Sequence, residues 1–121
     1  MADVLRNKRV LVVEDEALIA MLAEEMLVEI GCIHHATAPT IGKAMPLVEA
    51  GGFDLALLDV NVARERVFPI ADALAARAIP FAFASGYGED GLPEAYAERP
   101  MIGKPYSAED LERALTRALA A

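Results

Sequence analysis

Cysteine is nearly missing from this chain: Cys32 stands alone, so no disulfide can close within it, and a reducing cytoplasm is the expected compartment. Long hydrophobic runs are missing too. Although 55% of the residues are hydrophobic, every apolar run falls short of the roughly 18 residues that mark a membrane-spanning helix, so no membrane partner is expected. The amino terminus carries Asp3 and leads into no long apolar core, which makes it a poor secretory signal. Positive charge is scarce, with 11 Lys and Arg against 19 Asp and Glu for a net charge of -8. A protein that reads phosphate backbones needs a basic face, so direct nucleic-acid binding is not expected. The 121 residues are expected to form one domain spanning 1–121, with a core that needs no staples and with no additional output domain.

What the chain does contain is a strict alternation of short apolar runs and helical patterns. Leu55-Ala56-Leu57-Leu58 reads as a strand buried on both faces, and it ends on Asp59. A carboxylate there sits at the carboxyl edge of the sheet, where open α/β sheets do chemistry. It can serve as a metal ligand, a nucleophile or a helix cap. Val10-Leu11-Val12-Val13 is an earlier strand that runs into Glu14-Asp15-Glu16. Residues 17–30 follow as a helix with a broad apolar stripe of Leu18, Met21, Leu22, Met26 and Ile30, widened by Ile19, Ala23 and Leu27.

Cys32 to Ala36 reads as an edge strand, followed by a helix over 39–50 with Thr37 as a cap and Pro46 as a kink. Beyond Asp59, a polar loop over 61–68 leads to a short helix opened by Pro69. A strand over 79–84 ends on Ser85-Gly86. Gly86, Gly88, Gly91 and Pro93 then leave room for at most one short helix near 94–98. A brief strand reaches Lys104-Pro105, and Ser107-Ala108-Glu109-Asp110 resembles a capping box opening a last helix with Leu111, Leu115 and Leu119.

This order predicts a parallel sheet covered on both faces, a flavodoxin-like (βα)5 sandwich of five strands in the order 2-1-3-4-5. Strands one and three are then neighbours. Glu14, Asp15, Asp59, Ser85 and Lys104 all fall at the carboxyl edge. At about 4 Å and an effective dielectric of 20, each pair of carboxylates costs roughly 4 kcal/mol, more than one lysine offsets. A hard divalent cation with oxygen ligands, Mg²⁺ above all, relieves it. Beside a cation and an ammonium, a free oxygen of Asp59 has the surroundings that stabilise a phosphoryl group in transfer.

Val13-Glu14-Asp15, Leu57-Leu58-Asp59-Val60-Asn61, Ala84-Ser85-Gly86 and Gly103-Lys104-Pro105 together resemble the receiver domain of two-component response regulators, over essentially the whole chain. The resemblance implies that Asp59 is the phosphoacceptor and that Glu14, Asp15, Asp59 and the backbone carbonyl of Asn61 hold Mg²⁺. It implies that Ser85 is the switch hydroxyl and Lys104 the charge-pairing lysine. It further implies a sensor histidine kinase or a histidine phosphotransfer protein as donor, a downstream protein partner, and a homodimer as an option. Phe81-Ala82-Phe83-Ala84-Ser85-Gly86-Tyr87 is similar to the FATGUY subgroup, with Ser85 in place of its threonine and Gly88 after Tyr87. Receivers often carry an aromatic three residues before the lysine. Met101 stands there, leaving Tyr87 and Tyr106 as candidate substitutes.

Two other readings compete. A haloacid-dehalogenase-like phosphatase also uses a strand-end aspartate with Mg²⁺, but it places a second Asp two residues on as general acid, where this chain has Asn61. A partner-binding pseudo-receiver lacks site residues, and here none is missing. His34 and His35 are adjacent on a strand and point to opposite faces, so they are expected to be structural, and Cys32 to be a small buried hydrophobe.

Overall fold

Each apolar run forms a strand because its alternate residues are buried against a different helical layer. In the computed structural model, which describes residues 3–86 and 92–120, β1 spans Arg9–Val13, β2 Ile33–Ala38 and β3 Leu55–Asp59. Two short strands follow, β4 (Asn61–Val62) and β5 (Glu65–Arg66), and then β6 (Phe81–Ser85) and β7 (Met101–Gly103). The main sheet has five strands in the order β2-β1-β3-β6-β7, every pair parallel. This is the expected 2-1-3-4-5 order, since β6 and β7 are the fourth and fifth strands of that sheet. The helices are α1 (Ala17–Glu29), α2 (Ile41–Ala50), α3 (Phe68–Ala76) and α4 (Ala108–Ala120). A 3-10 turn, Glu94–Tyr96, stands in the fourth crossover. Among the described residues no helix is long and apolar enough to cross a membrane.

Two cores lie on opposite faces of the sheet. Leu11, Val13, Ala56, Leu58, Phe81 and Phe83 pack with α2 and α3. Val10, Val12, Leu55, Leu57, Ala82 and Ala84 pack with α1 and α4. The period-two alternation of a strand puts both phenylalanines of β6 toward α3 and both alanines toward α4. On the phenylalanine side, Tyr96 is buried, its ring 5.7 Å from that of Phe81 and 5.9 Å from that of Phe83, and its hydroxyl donates to Asp72 on α3. The Arg99 guanidinium lies 4.2 Å over Phe81.

Several local expectations are corrected. Of the expected α1 stripe, Ala23 and Leu27 are buried and Met26 and Ile30 pack partly against the core, whereas Leu18 (64%), Met21 (52%) and Leu22 (40%) are exposed, as is Val28 (65%). The helix is apolar nearly all round, and it meets the sheet along one narrow stripe. Thr40, not Thr37, caps α2, its hydroxyl accepting from the Lys43 N–H at 3.1 Å. Thr37 is inside β2, where its hydroxyl lies 2.7 Å from a ring nitrogen of His34. His35 is the extra residue of a bulge against β1 and packs on Phe53, with ring centroids 5.4 Å apart. Cys32 is buried, and burial pushes its thiol up to about 11. The capping box at α4 is reciprocal: the Asp110 N–H donates to the Ser107 hydroxyl at 3.0 Å, and the Ser107 N–H donates to the Asp110 carboxylate at 3.2 Å.

The loop expected after Asp59 is instead a small antiparallel hairpin of β4 and β5. Val62 is fully buried and anchors it. Its two turn residues, Ala63 and Arg64, have φ of 50° and 70°, the left-handed pair that a two-residue hairpin demands and that Gly or Asn usually supplies. Neither residue signals a turn by type, so composition pointed to an open loop. Ala63→Gly is expected to raise unfolding stability by about 1 kcal/mol, because a left-handed alanine carries about that much strain. Urea unfolding checks the value.

Candidate functional site

Strand register brings the edge residues together. Val13 pairs with Leu58, so the next residues along these parallel strands, Glu14 and Asp59, are neighbours. Asp59 pairs with Ala84 on β6, and Ser85 pairs with Gly103 on β7, whose next residue is Lys104. The Glu14 N–H continues the ladder to the Ala38 carbonyl at 3.0 Å, and the Lys104 N–H donates to the Ser85 carbonyl at 2.8 Å. Backbone pairing thus aims Glu14, Asp59 and Lys104 at one point.

There the Lys104 ammonium donates to Asp59 at 3.0 Å, to the two oxygens of Glu14 at 3.2 and 3.4 Å, and to Glu16 at 3.2 Å. Glu14 and Asp59 are each only 4% exposed. Burial first, and then repulsion from Asp59, push the Glu14 carboxyl up to about 7, against the pull of the Glu16 N–H and of Lys104. Asp59 is also raised, by burial and by Asp15, although Lys104 works against it. Burial disfavours the charged form of Lys104, but its bonds to Asp59 and Glu14 outweigh this and hold the ammonium well above its ordinary value. One ammonium therefore does not keep both buried acids ionised near neutral pH.

Glu14, Asp15 and Asp59 each offer a carboxylate oxygen, and these oxygens all lie within 4.8 Å of one another. An all-oxygen, anionic donor set of that span, open to water on the Asp15 side, fits a hard divalent cation that retains several waters. Asn61 and Arg64 line the same open cleft of about 420 Å³ as Asp15, Asp59 and Lys104.

Ser85 is at the same edge but does not touch the acids. Its hydroxyl donates to the Gly86 carbonyl at 3.3 Å. Of the two candidate aromatics, Tyr87 lies outside the described residues. Tyr106 packs on the α1 side beside Ile19, Leu22 and Met26, and burial together with Glu14 pushes its hydroxyl up to about 12. Met101, three residues before Lys104, is exposed. Two cleft residues escaped the sequence reading. Glu16 was legible as the third acid of its run, but Arg64 was not, because only the hairpin turn carries it to the cleft.

The fold and this edge define a flavodoxin-like domain with an acid-and-lysine site at the carboxyl ends of its strands. No family model matches the sequence, and none of the curated proteins does. Solved structures do. SdrG from Sphingomonas melonis Fr1 superposes with a TM-score of 0.85 at 39% identity, with 98% of this chain and 99% of that one covered. The BeF3-activated conformation of SdrG from Pseudomonas melonis Fr1 gives 0.78 at 39% identity, covering 96% and 98%. The PhyR response regulator REC domain of Erythrobacter litoralis gives 0.81 at 26%, covering 97% and 93%. This chain belongs to the response regulator receiver family.

Proposed function

We propose that this chain receives a phosphoryl group on Asp59 from a phosphohistidine of a sensor histidine kinase or histidine phosphotransfer protein, and that it signals by binding a downstream protein. The observation that carries this reading is a buried carboxylate at the sheet edge, bonded to Lys104 at 3.0 Å, with oxygens of Glu14 and Asp15 within 4.8 Å. The likeness to SdrG, for which a BeF3-activated conformation exists, supports it.

In the transfer, an Asp59 oxygen attacks phosphorus, the P–N bond breaks, and the imidazole leaves with the electron pair of that bond. The product is an acyl phosphate. Lys104, already at Asp59, pairs with an oxygen of the arriving group. Ser85, released from the Gly86 carbonyl, donates to a second oxygen. Glu14, Asp15, Asp59 and the Asn61 carbonyl would hold Mg²⁺, which when bound supplies positive charge against the phosphoryl oxygens. Phe83-Ala84-Ser85-Gly86 favours the FATGUY subgroup within the family.

The test is incubation with acetyl phosphate and Mg²⁺ followed by intact-mass measurement. One added phosphoryl group, removed by hydroxylamine as an acyl phosphate must be, is the expected result. Continuous hydrolysis of a phosphomonoester with no persistent adduct would establish a phosphatase instead.

A further inference from the structure

We infer that Arg64 is the group that draws an anionic phosphodonor toward Asp59, a role resting on the phosphoacceptor reading above. Apart from any Mg²⁺ bound there, the charged side chains that line the cleft are mostly of the donor's own sign. Asp15, Glu16 and Asp59 line it, and its other cation, Lys104, is already shared among Asp59, Glu14 and Glu16. A phosphodonor is itself an anion, so it approaches against like charge. Arg64 lines the same cleft, is exposed, and forms no ion pair among the described residues. Its charge therefore faces an approaching ligand uncompensated, whereas that of Lys104 is already divided among three carboxylates until the phosphoryl group reaches Asp59.

The backbone strengthens the case. Arg64 is at the tip of the hairpin with φ of 70°, next to Ala63 at 50°. An ordinary side chain is held in this disfavoured region where glycine would be easier, and such outliers concentrate at functional sites. This left-handed pair reverses the chain between Val62 and Glu65, and the reversal leaves Arg64 lining the cleft. Arginine's planar fork suits phosphate oxygens, which it binds through two parallel N–H donors. Because the residue is exposed, it acts on the approach of the donor and is screened by salt. Arg64 is thus a specificity-determining residue for donor charge.

The experiment follows phosphorylation by intact mass, in Mg²⁺, with two small donors that differ in charge: acetyl phosphate and the less anionic phosphoramidate. Arg64→Gln should slow modification by acetyl phosphate about fivefold at low salt and by much less with phosphoramidate, and the gap should shrink as salt rises. Arg64→Lys should recover part of the rate, and Arg64→Glu should lose more than Arg64→Gln. Arg66→Gln, which removes a cation from the same hairpin but outside the cleft lining, should match the parent protein. Equal rates for Arg64→Gln and the parent would overturn the inference and leave Asp59 as acceptor. Equal loss with both donors, or an equal loss in Arg66→Gln, would also overturn it, by showing a structural or merely global charge effect. If the parent protein takes no phosphoryl group from either donor, the phosphoacceptor reading itself fails and this inference falls with it.

Discussion

Asp59→Asn will take up no phosphoryl group from acetyl phosphate under conditions that modify the parent protein, a loss of at least about 100-fold in rate. The substitution keeps the side chain's shape and its acceptor oxygen toward Lys104, but an amide is a far poorer nucleophile than a carboxylate. The fold should survive. Asp59 is buried against Glu14, and burial and the charge of Asp15 both disfavour its ionised form, so neutralising it removes repulsion rather than support. Thermal unfolding of the Asp59→Asn variant should occur no lower than that of the parent protein. Intact mass together with peptide mapping is decisive. An adduct that persists on another carboxylate, Asp15 for instance, would mean that the wrong acid has been assigned.

Without divalent cations, the protein will lose stability as the pH rises from about 5 to about 8, and Mg²⁺ will restore it at the upper end. The sign follows from Glu14, whose carboxyl is raised from 4.5 to about 7 by burial and by Asp59. Between those values the folded chain still binds a proton that the unfolded chain has released. The contribution is complete below the unfolded value and disappears as pH passes the folded one. For a side chain only 4% exposed, this shift amounts to on the order of 3 kcal/mol. His35, lowered by burial and by Arg9, works in the opposite direction, so the comparison should be with Glu14→Gln, in which the His35 contribution cancels. Urea unfolding of both proteins across this range, with and without Mg²⁺, measures the difference. If Glu14→Gln shows the same pH slope as its parent, Glu14 does not carry the effect.

Both predictions return to one physical situation. Strand pairing forces acids together at the edge, and a single lysine leaves part of their repulsion unrelieved. A site in that condition favours whatever brings positive charge and accepts negative charge in exchange. This is the electrostatic requirement for taking up a phosphoryl group in the presence of a divalent cation.

The order of elements and the convergence of Glu14, Asp59 and Lys104 at one edge were legible in the sequence. Apolar runs such as Leu55–Asp59 are too short for helices and end on acids, and alternation of strand and helix leaves few topologies once crossovers are right-handed. Glu14, Asp59 and Lys104 then fall at one edge by register alone, which is why the backbone could bring them together without further information. Ser107 and Asp110 announced their capping box in the same way, because a cap is a contact between residues three apart.

Tertiary structure decided the rest. Residues all round α1 are apolar, so no periodicity could tell that Ala23 and Leu27 are buried while Leu18, Met21 and Val28 face outward; only the position of the sheet and of α4 selects the stripe. Tyr96 sits in a stretch without a pattern, and its burial depends on Phe68, Phe81 and Phe83 arriving from two other elements. Arg64 enters the cleft because Val62 is buried and the chain must reverse within two residues, despite having neither glycine nor asparagine there. Local sequence determines which residues form strands and where each strand ends, since those depend on period and side-chain type. Which helix face is covered, and what reaches the cleft from a turn, depends on contacts between segments far apart in the chain, and no window of sequence contains both partners.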